Sequence, residues 1–222
     1  NLGRGVVAVR STTTAVFIGW RVLGTDPPDI TFNLYRSTAG GTPVLLNSAP
    51  IAAATHFVDS TADLTQANAY FVRAIVFGLE QSPSASFTLP ANAPVRQYLR
   101  LPLQLPAGGT TPVGEPYTYS PNDCSVGDLD GDGEYEIVVK WDPSNSKDNS
   151  QSGFTGDTFV DAYKLDGTRL WRIDLGPNIR SGAHYMDFMV FDFDGDGKAE
   201  MMCRTAPGSK DGLGNYIGGI VK

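Results

Sequence analysis

The chain has 222 residues, of which 41% are hydrophobic and 10% aromatic, with 25 Gly and 15 Pro, enough for one large or two ordinary globular domains rich in turns. Its net charge of −7 falls entirely in residues 94–222, where 12 basic face 19 acidic side chains, whereas residues 1–93 balance five against five. That acidity argues against a nucleic-acid partner, which needs a basic face; no apolar run nears the ~18 residues of a membrane helix, and two histidines do not make a multi-histidine zinc site.

The first ninety residues predict short strands. Segments 6–10, 15–22, 30–36, 55–59, 69–76 and 84–89 are rich in β-branched and aromatic residues, and Gly, Pro, Asn and Asp punctuate the gaps between them. That rhythm predicts an all-β sandwich. Trp20 early, Tyr35-Arg36 midway and Tyr70 late, followed by alternating apolar residues, resemble a fibronectin type III domain. The plainest role for such a module, over residues 1–92, is packing without chemistry.

Residues 90–94 (PANAP) read as a short stiff linker, and 95–105 as a further extended segment. Residues 93–222 then carry two copies of one acidic loop, 64 residues apart and without a gap between matching positions. The first is Asp128-Leu-Asp130-Gly-Asp132-Gly-Glu134-Tyr-Glu136; the second is Asp192-Phe-Asp194-Gly-Asp196-Gly-Lys198-Ala-Glu200. After the first loop comes a strand, 136–141, then a long polar loop, 142–153. Two strands, 159–165 and 168–175, follow, joined at Asp166-Gly167 by an expected type I′ turn. The second copy restarts near His184 and has its own strand at 200–205 and polar loop at 206–215. Small antiparallel sheets of three or four strands cannot bury both faces alone, so radial stacking in a β-propeller is the expected solution. Two such units do not close a propeller, and the second stops mid-blade, so the sequence reads as the N-terminal portion of a larger protein. Cys124 and Cys203 are too few for a disulfide scaffold. They sit at non-equivalent points of the two copies, and two buried free thiols are the plainer expectation.

Carboxylates at every second position, separated by glycines, converge only if the backbone coils around a cation. Calcium, which takes 6–8 oxygen ligands, suits this pattern better than the compact octahedral magnesium. An EF-hand would place Glu at the twelfth position between helices, but here that position is Val139 or Cys203 and β sequence follows. The expected ligands are Asp128, Asp130, Asp132, the Glu134 carbonyl and Glu136 in the first loop. In the second they are Asp192, Asp194, Asp196, the Lys198 carbonyl and Glu200. A seventh position that is Glu in one copy and Lys in the other fits main-chain ligation. Two Ca²⁺ would bring the net charge from −7 to −3. The alternative, a solvated acidic turn without metal, leaves these carboxylates repelling one another. A metal buried among strands would brace a blade rather than touch substrate.

The stretch from Ser120-Pro121-Asn122-Asp123-Cys124 to Lys147-Asp148-Asn149 is more specific than a generic calcium repeat. So is Leu170-Trp171-Arg172-Ile173-Asp174 followed by Ile179-Arg180-Ser181-Gly182-Ala183-His184-Tyr185. Together with the opening Asn1-Leu2-Gly3-Arg4-Gly5, they closely resemble bacterial rhamnogalacturonan lyases of polysaccharide lyase family eleven. The resemblance covers essentially the whole chain and weakens after Leu213. It implies a secreted, monomeric enzyme with a fibronectin-like sandwich ahead of an eight-bladed, calcium-binding propeller. Such an enzyme cleaves rhamnogalacturonan I of pectin by β-elimination at the rhamnosyl-(1→4)-galacturonate bond. That reaction requires the uronate carboxylate to be neutralised, which Ca²⁺ does as a Lewis acid, and a base to take the C5 proton.

The resemblance places the catalytic base on later blades, beyond Lys222. Within this chain, the polar residues outside the acidic loops are the cleft candidates. Asn122 and Asp123 are placed to reach a cleft calcium or the sugar, and Asp142 to bind a sugar hydroxyl. Lys147, Asp148 and Asn149 are placed to line the groove, and His184 and Tyr185 lie on the approach to the second blade. The plainer readings are a capped turn for Asn122 and Asp123, a solvated Lys147 and a hydrogen-bonded core His184. The competing function is a noncatalytic calcium propeller for adhesion or glycan binding.

Overall fold

The computed structural model describes residues 2–182 and 186–218. Sixteen strands and no helix occur among the described residues, so no helix is long and apolar enough to cross a membrane. The chain divides into two compact units, Asn1–Arg100 with Asp132–Glu134, and Leu101–Gly131 with Tyr135–Lys222.

In the first unit, β1 (Val7–Arg10), β2 (Val16–Gly19) and β5 (His56–Asp59) form one antiparallel sheet. The second sheet runs β4 (Val44–Leu45), β3 (Thr31–Thr38), β6 (Asn68–Val76), β7 (Leu79–Pro83), and β8 (Phe87–Leu89) also pairs with β6. Alternation puts every second residue of β3 and β6 inward. Phe32, Leu34, Tyr70, Val72 and Ala74 thus share one core with Ala8, Val16 and Ile18 of the other sheet and with Trp20, which directly follows β2. The buried Asp59 carboxylate accepts hydrogen bonds from Arg36, Thr61 and the Tyr70 hydroxyl. Burial raises its pKa, but the Thr61 hydroxyl and amide and the Arg36 guanidinium outweigh burial and hold it below the usual carboxylate range.

In the second unit, β9 (Gly109–Thr110) and β10 (Pro116–Tyr117) make a small ribbon. Then β11 (Tyr119–Gly127), β12 (Glu136–Pro143), β13 (Phe159–Tyr163) and β14 (Arg169–Asp174) pair in chain order as a four-stranded antiparallel sheet. A separate pair, β15 (Phe188–Phe191) and β16 (Glu200–Cys203), brackets the second acidic loop as β11 and β12 bracket the first. The central strand β12 is buried on both faces. With side chains alternating, Glu136, Val138, Lys140 and Asp142 share one face, and Ile137, Val139 and Trp141 the other. Val138 packs with Val160, Ala162, Phe188, Val190 and Met201. Val139 and Trp141 pack with Tyr119 and Tyr163.

The structure corrects several expectations. Segment 95–105 forms no strand, whereas β11 and β15 immediately precede the acidic loops. The expectation missed β11 because Ser120-Pro121-Asn122-Asp123 reads as a turn. The hairpin between β13 and β14 is not a two-residue type I′ turn. The Gly167 amide bonds back to the Lys164 carbonyl and Lys164 N–H to Thr168, with Gly167 alone taking positive φ, 88°. This is the longer loop with a left-handed glycine that also closes hairpins. Both cysteines are free, as expected, but Cys124 is exposed and Cys203 half-buried.

Gly127, which ends β11, lies against the second acidic repeat. A Cβ there would sit 2.6 Å from Ala199 Cβ and 2.7 Å from Val190 Cγ1. Gly127→Val should therefore force the two repeats apart and lower stability by about 1–3 kcal/mol, measured as a loss in denaturation midpoint at unchanged m-value. A midpoint equal to the parent's would refute this close approach.

Candidate functional site

The two acidic loops fold alike because their hydrogen bonds are the same. Leu129 N–H donates to Glu136 Oε2 at 2.7 Å, and Phe193 N–H to Glu200 Oε2 at 3.0 Å. Gly131 and Gly195 N–H donate to Asp128 and Asp192 Oδ1 at 2.8 and 2.7 Å. Gly131, Gly133, Gly195 and Gly197 all take φ between 79° and 93°, a left-handed conformation that favours glycine. The result is a carboxylate cradle: Asp128, Asp130 and Glu136 each offer an oxygen within 4.8 Å of the others, as do Asp192, Asp194 and Glu200. These groups could hold a metal ion, and the all-oxygen donor set is that of a hard cation.

Asp132 and Asp196, expected in the same shells, lie outside these groups. Their Oδ1 atoms each accept an amide at 2.8 Å, from Glu134 and Lys198 respectively. At the two positions expected to ligate through the main chain, the Lys198 side chain is exposed and the Glu134 side chain half-buried. The loops also differ in burial. Asp128 and Glu136 are buried, whereas Asp194 and Glu200 are exposed. Asp130 additionally pairs with Lys164 at 2.6 Å, and Ala199 N–H of the second loop donates to the Asp128 carbonyl at 2.6 Å.

A second polar cluster lies at the other end of β12. The ladder between β11 and β12 shifts register between Pro121 and Cys124. That bulge carries Asn122 and Asp123, and bulges re-aim side chains near functional sites. Asn122 Nδ2 donates to Asp142 Oδ2 at 2.7 Å, and Lys140 Nζ to Asp123 Oδ2 at 2.6 Å. Asp142 Oδ1 lies 4.0 Å from Lys140 Nζ and is buried without a hydrogen-bond partner among the described residues. Burial pushes the Asp142 carboxyl above its usual range; Lys140 opposes that shift and Asp123 adds to it. Asp142 lies six positions beyond Glu136, roughly 20 Å along an extended strand. One face of β12 thus carries the acidic loop at one end and this cluster at the other.

Of the sequence-derived cleft residues, Asn122, Asp123 and Asp142 come together. Lys147 is engaged with Glu115 at 3.3 Å and with the Asn145 carbonyl. The Asp148 carbonyl accepts Arg180 Nη2, and Asn149 is exposed. His184 and Tyr185 lie outside the described residues. Sequence reasoning missed Lys140, although the signal was present. A lysine inside Ile137-Val138-Val139-Lys140-Trp141 shares a face with Asp142 by strand alternation. It also missed Asp161, whose fully buried carboxylate accepts Trp141 Nε1 at 2.9 Å, the Tyr163 hydroxyl at 2.6 Å and Arg172 Nε at 2.7 Å.

The chain is thus all-β among its described residues, with two acidic loops that could hold a hard cation and a buried polar cluster at the far end of β12. Residues 98–222 match the model of the rhamnogalacturonan lyase family 11 C-terminal domain, and residues 1–89 that of the rhamnogalacturonan I lyase beta-sheet domain. The chain belongs to rhamnogalacturonan lyase family 11. It is 55% identical to rhamnogalacturonan endolyase YesW of Bacillus subtilis (strain 168) over 98% of its own length and 33% of that protein's. It is 52% identical to rhamnogalacturonan exolyase YesX of the same organism, covering 34% of it. Among solved structures it resembles YesW, with a TM-score of 0.86 over 98% of this chain and 35% of that one. The Bacillus licheniformis rhamnogalacturonan lyase PL11 gives 0.85 at 57% identity, covering 98% and 35%. The chain thus spans about a third of these relatives.

Proposed function

We propose that this chain is part of a secreted polysaccharide lyase that cleaves rhamnogalacturonan I by calcium-assisted β-elimination. The observation that carries the reading is identity above one half, over 98% of the chain, to two proteins that are both named rhamnogalacturonan lyases. In this reading residues 1–92 form a fibronectin type III-like sandwich. Residues 93–222 form the first blades of an eight-bladed propeller. The four-stranded meander from β11 to β14, joined in chain order, supports the propeller assignment. The protein acts as a monomer on its polysaccharide, with neither a nucleic acid nor a membrane as partner.

Calcium is the metal proposed for both acidic loops, with Asp128, Asp130 and Glu136 in one shell and Asp192, Asp194 and Glu200 in the other. Bound there, it would neutralise the converging carboxylates and fix the starts of β12 and β16. The Asn122–Asp142 pair is the proposed sugar contact, since the partnerless Asp142 oxygen is a ready acceptor for a hydroxyl. The residues of this chain bind and orient, and proton removal from C5 falls to a base outside them.

The test is absorbance near about 235 nm, where unsaturated uronates absorb, for the protein at its full natural length acting on rhamnogalacturonan with and without chelator. A calcium-dependent rise is expected. Its absence would sink the lyase reading and leave the noncatalytic glycan-binding propeller.

A further inference from the structure

Lys140 is an unusual resident for the middle of a sheet. Its side chain is 2% exposed, and a buried ammonium persists only with partners that offset its lost hydration. Those partners are Asp123, which is 61% exposed, at 2.6 Å, and Asp142 at 4.0 Å. No acidic loop contributes to the cluster. Two carboxylates and one ammonium leave a net negative charge, held by the bulge of β11 on one side and by β12 on the other. The Asn122 amide fixes one Asp142 oxygen, while the other is buried and partnerless.

We propose that Lys140 is a built-in cation that positions Asp142, with one oxygen on Asn122 and the other presented to a sugar hydroxyl. The ammonium fills the place between Asp123 and Asp142 that a divalent ion would otherwise take. A second cation here would meet a like charge already hydrogen-bonded to Asp123. Of the two occupants that the sequence leaves open at Asn122 and Asp123, calcium or sugar, the sugar is the one this geometry accepts. Lys140 is thus a positioning residue, acting through Asp142 and Asp123, and this assignment rests on the lyase reading.

Among the described residues, the charged groups that face Asp142 are Lys140 on its own strand and Asp123 on β11. Removing the ammonium should raise the Asp142 pKa further, and removing the Asp123 charge should lower it. Because the hydroxyl acceptor works best ionised, the acid limb of kcat/KM should follow Asp142 in both cases.

The experiment compares parent, Lys140→Met, Lys140→Arg and Asp123→Asn at full natural length, on rhamnogalacturonan oligosaccharides across pH, with thermal melts as the folding control. Lys140→Met should raise KM by about tenfold or more, the loss expected for a buried charge-assisted contact, and move the acid limb up by about one pH unit. Lys140→Arg should recover the limb. Asp123→Asn keeps the outline of the side chain and a carbonyl oxygen to accept the Lys140 ammonium and should move the limb down, so the proposal is tested even if Lys140→Met does not fold. An active parent whose limb is unchanged in Asp123→Asn, or whose Lys140→Arg and Lys140→Met variants fail alike, overturns the role of Lys140. An inactive parent overturns the lyase reading instead.

Discussion

Asp161→Ala should lower the stability of the protein by about 3–5 kcal/mol, the cost of removing one partner from a buried ion pair. Asp161 is fully buried on β13. Its two oxygens hold Arg172 Nε at 2.7 Å and Nη2 at 2.6 Å, the Trp141 indole and the Tyr163 hydroxyl. The substitution strips all four donors of this acceptor at once. Arg172 Nη2 keeps the Gln104 carbonyl, at 2.6 Å, and the Tyr163 hydroxyl keeps Gln104, whose N–H it accepts at 3.1 Å and whose carbonyl lies at 3.5 Å, while the guanidinium keeps its place 5.5 Å from the Phe159 ring centre. Asp161→Asn retains acceptor capacity and should cost less. Chemical denaturation measures both, and a loss below about 1 kcal/mol for Asp161→Ala would show that the network relaxes onto other partners.

The second large effect concerns the acidic loops. Calcium in excess should raise the melting temperature of the parent, since a ligand at about 100 times its Kd adds about 2.7 kcal/mol. Glu136→Gln should abolish most of that gain. It removes a carboxylate charge from a group whose oxygens lie within 4.8 Å of one another, at a residue that is 2% exposed and screened little by solvent. Glu200→Gln should cost less, because Glu200 is exposed and its charge is already shared with water. Asp130→Ala and Asp194→Ala should also lower the melting temperature chiefly when calcium is present. Scanning calorimetry with calcium and with chelator decides the matter. If Glu136→Gln and the parent gain equally from calcium, the loop is not the metal site.

Much of this molecule is legible in the chain because its signals are local. The acidic loops are recognisable from spacing alone, since alternating carboxylate and glycine both create the charge density and supply the left-handed turns that bring it together. The strands β3, β6, β12 and β13 announce themselves through β-branched and aromatic runs. By contrast, β11 is invisible, because Pro121, Asn122 and Asp123 read as a turn. They form a bulge only because β12 lies alongside, and a bulge is a property of two strands.

The same distinction separates the candidate sites. Asn122, Asp123 and Asp142 could be singled out as polar residues, but the cation between them could not. Lys140 sits 17 positions from Asp123 and meets it only across the ladder. Asp161 looks like one polar position in a strand until β12 and β14 bring Trp141 and Arg172 to it. Sequence alone determined the all-β class, the two loops that suit a hard cation and the family likeness, all of which rest on short-range pattern. Tertiary structure decided which carboxylates converge, which loop is buried, and that Lys140 and Asp142 form a charged cluster at the far end of the strand that begins with Glu136. Those outcomes depend on strand register and burial, which are set by packing between segments far apart in the chain.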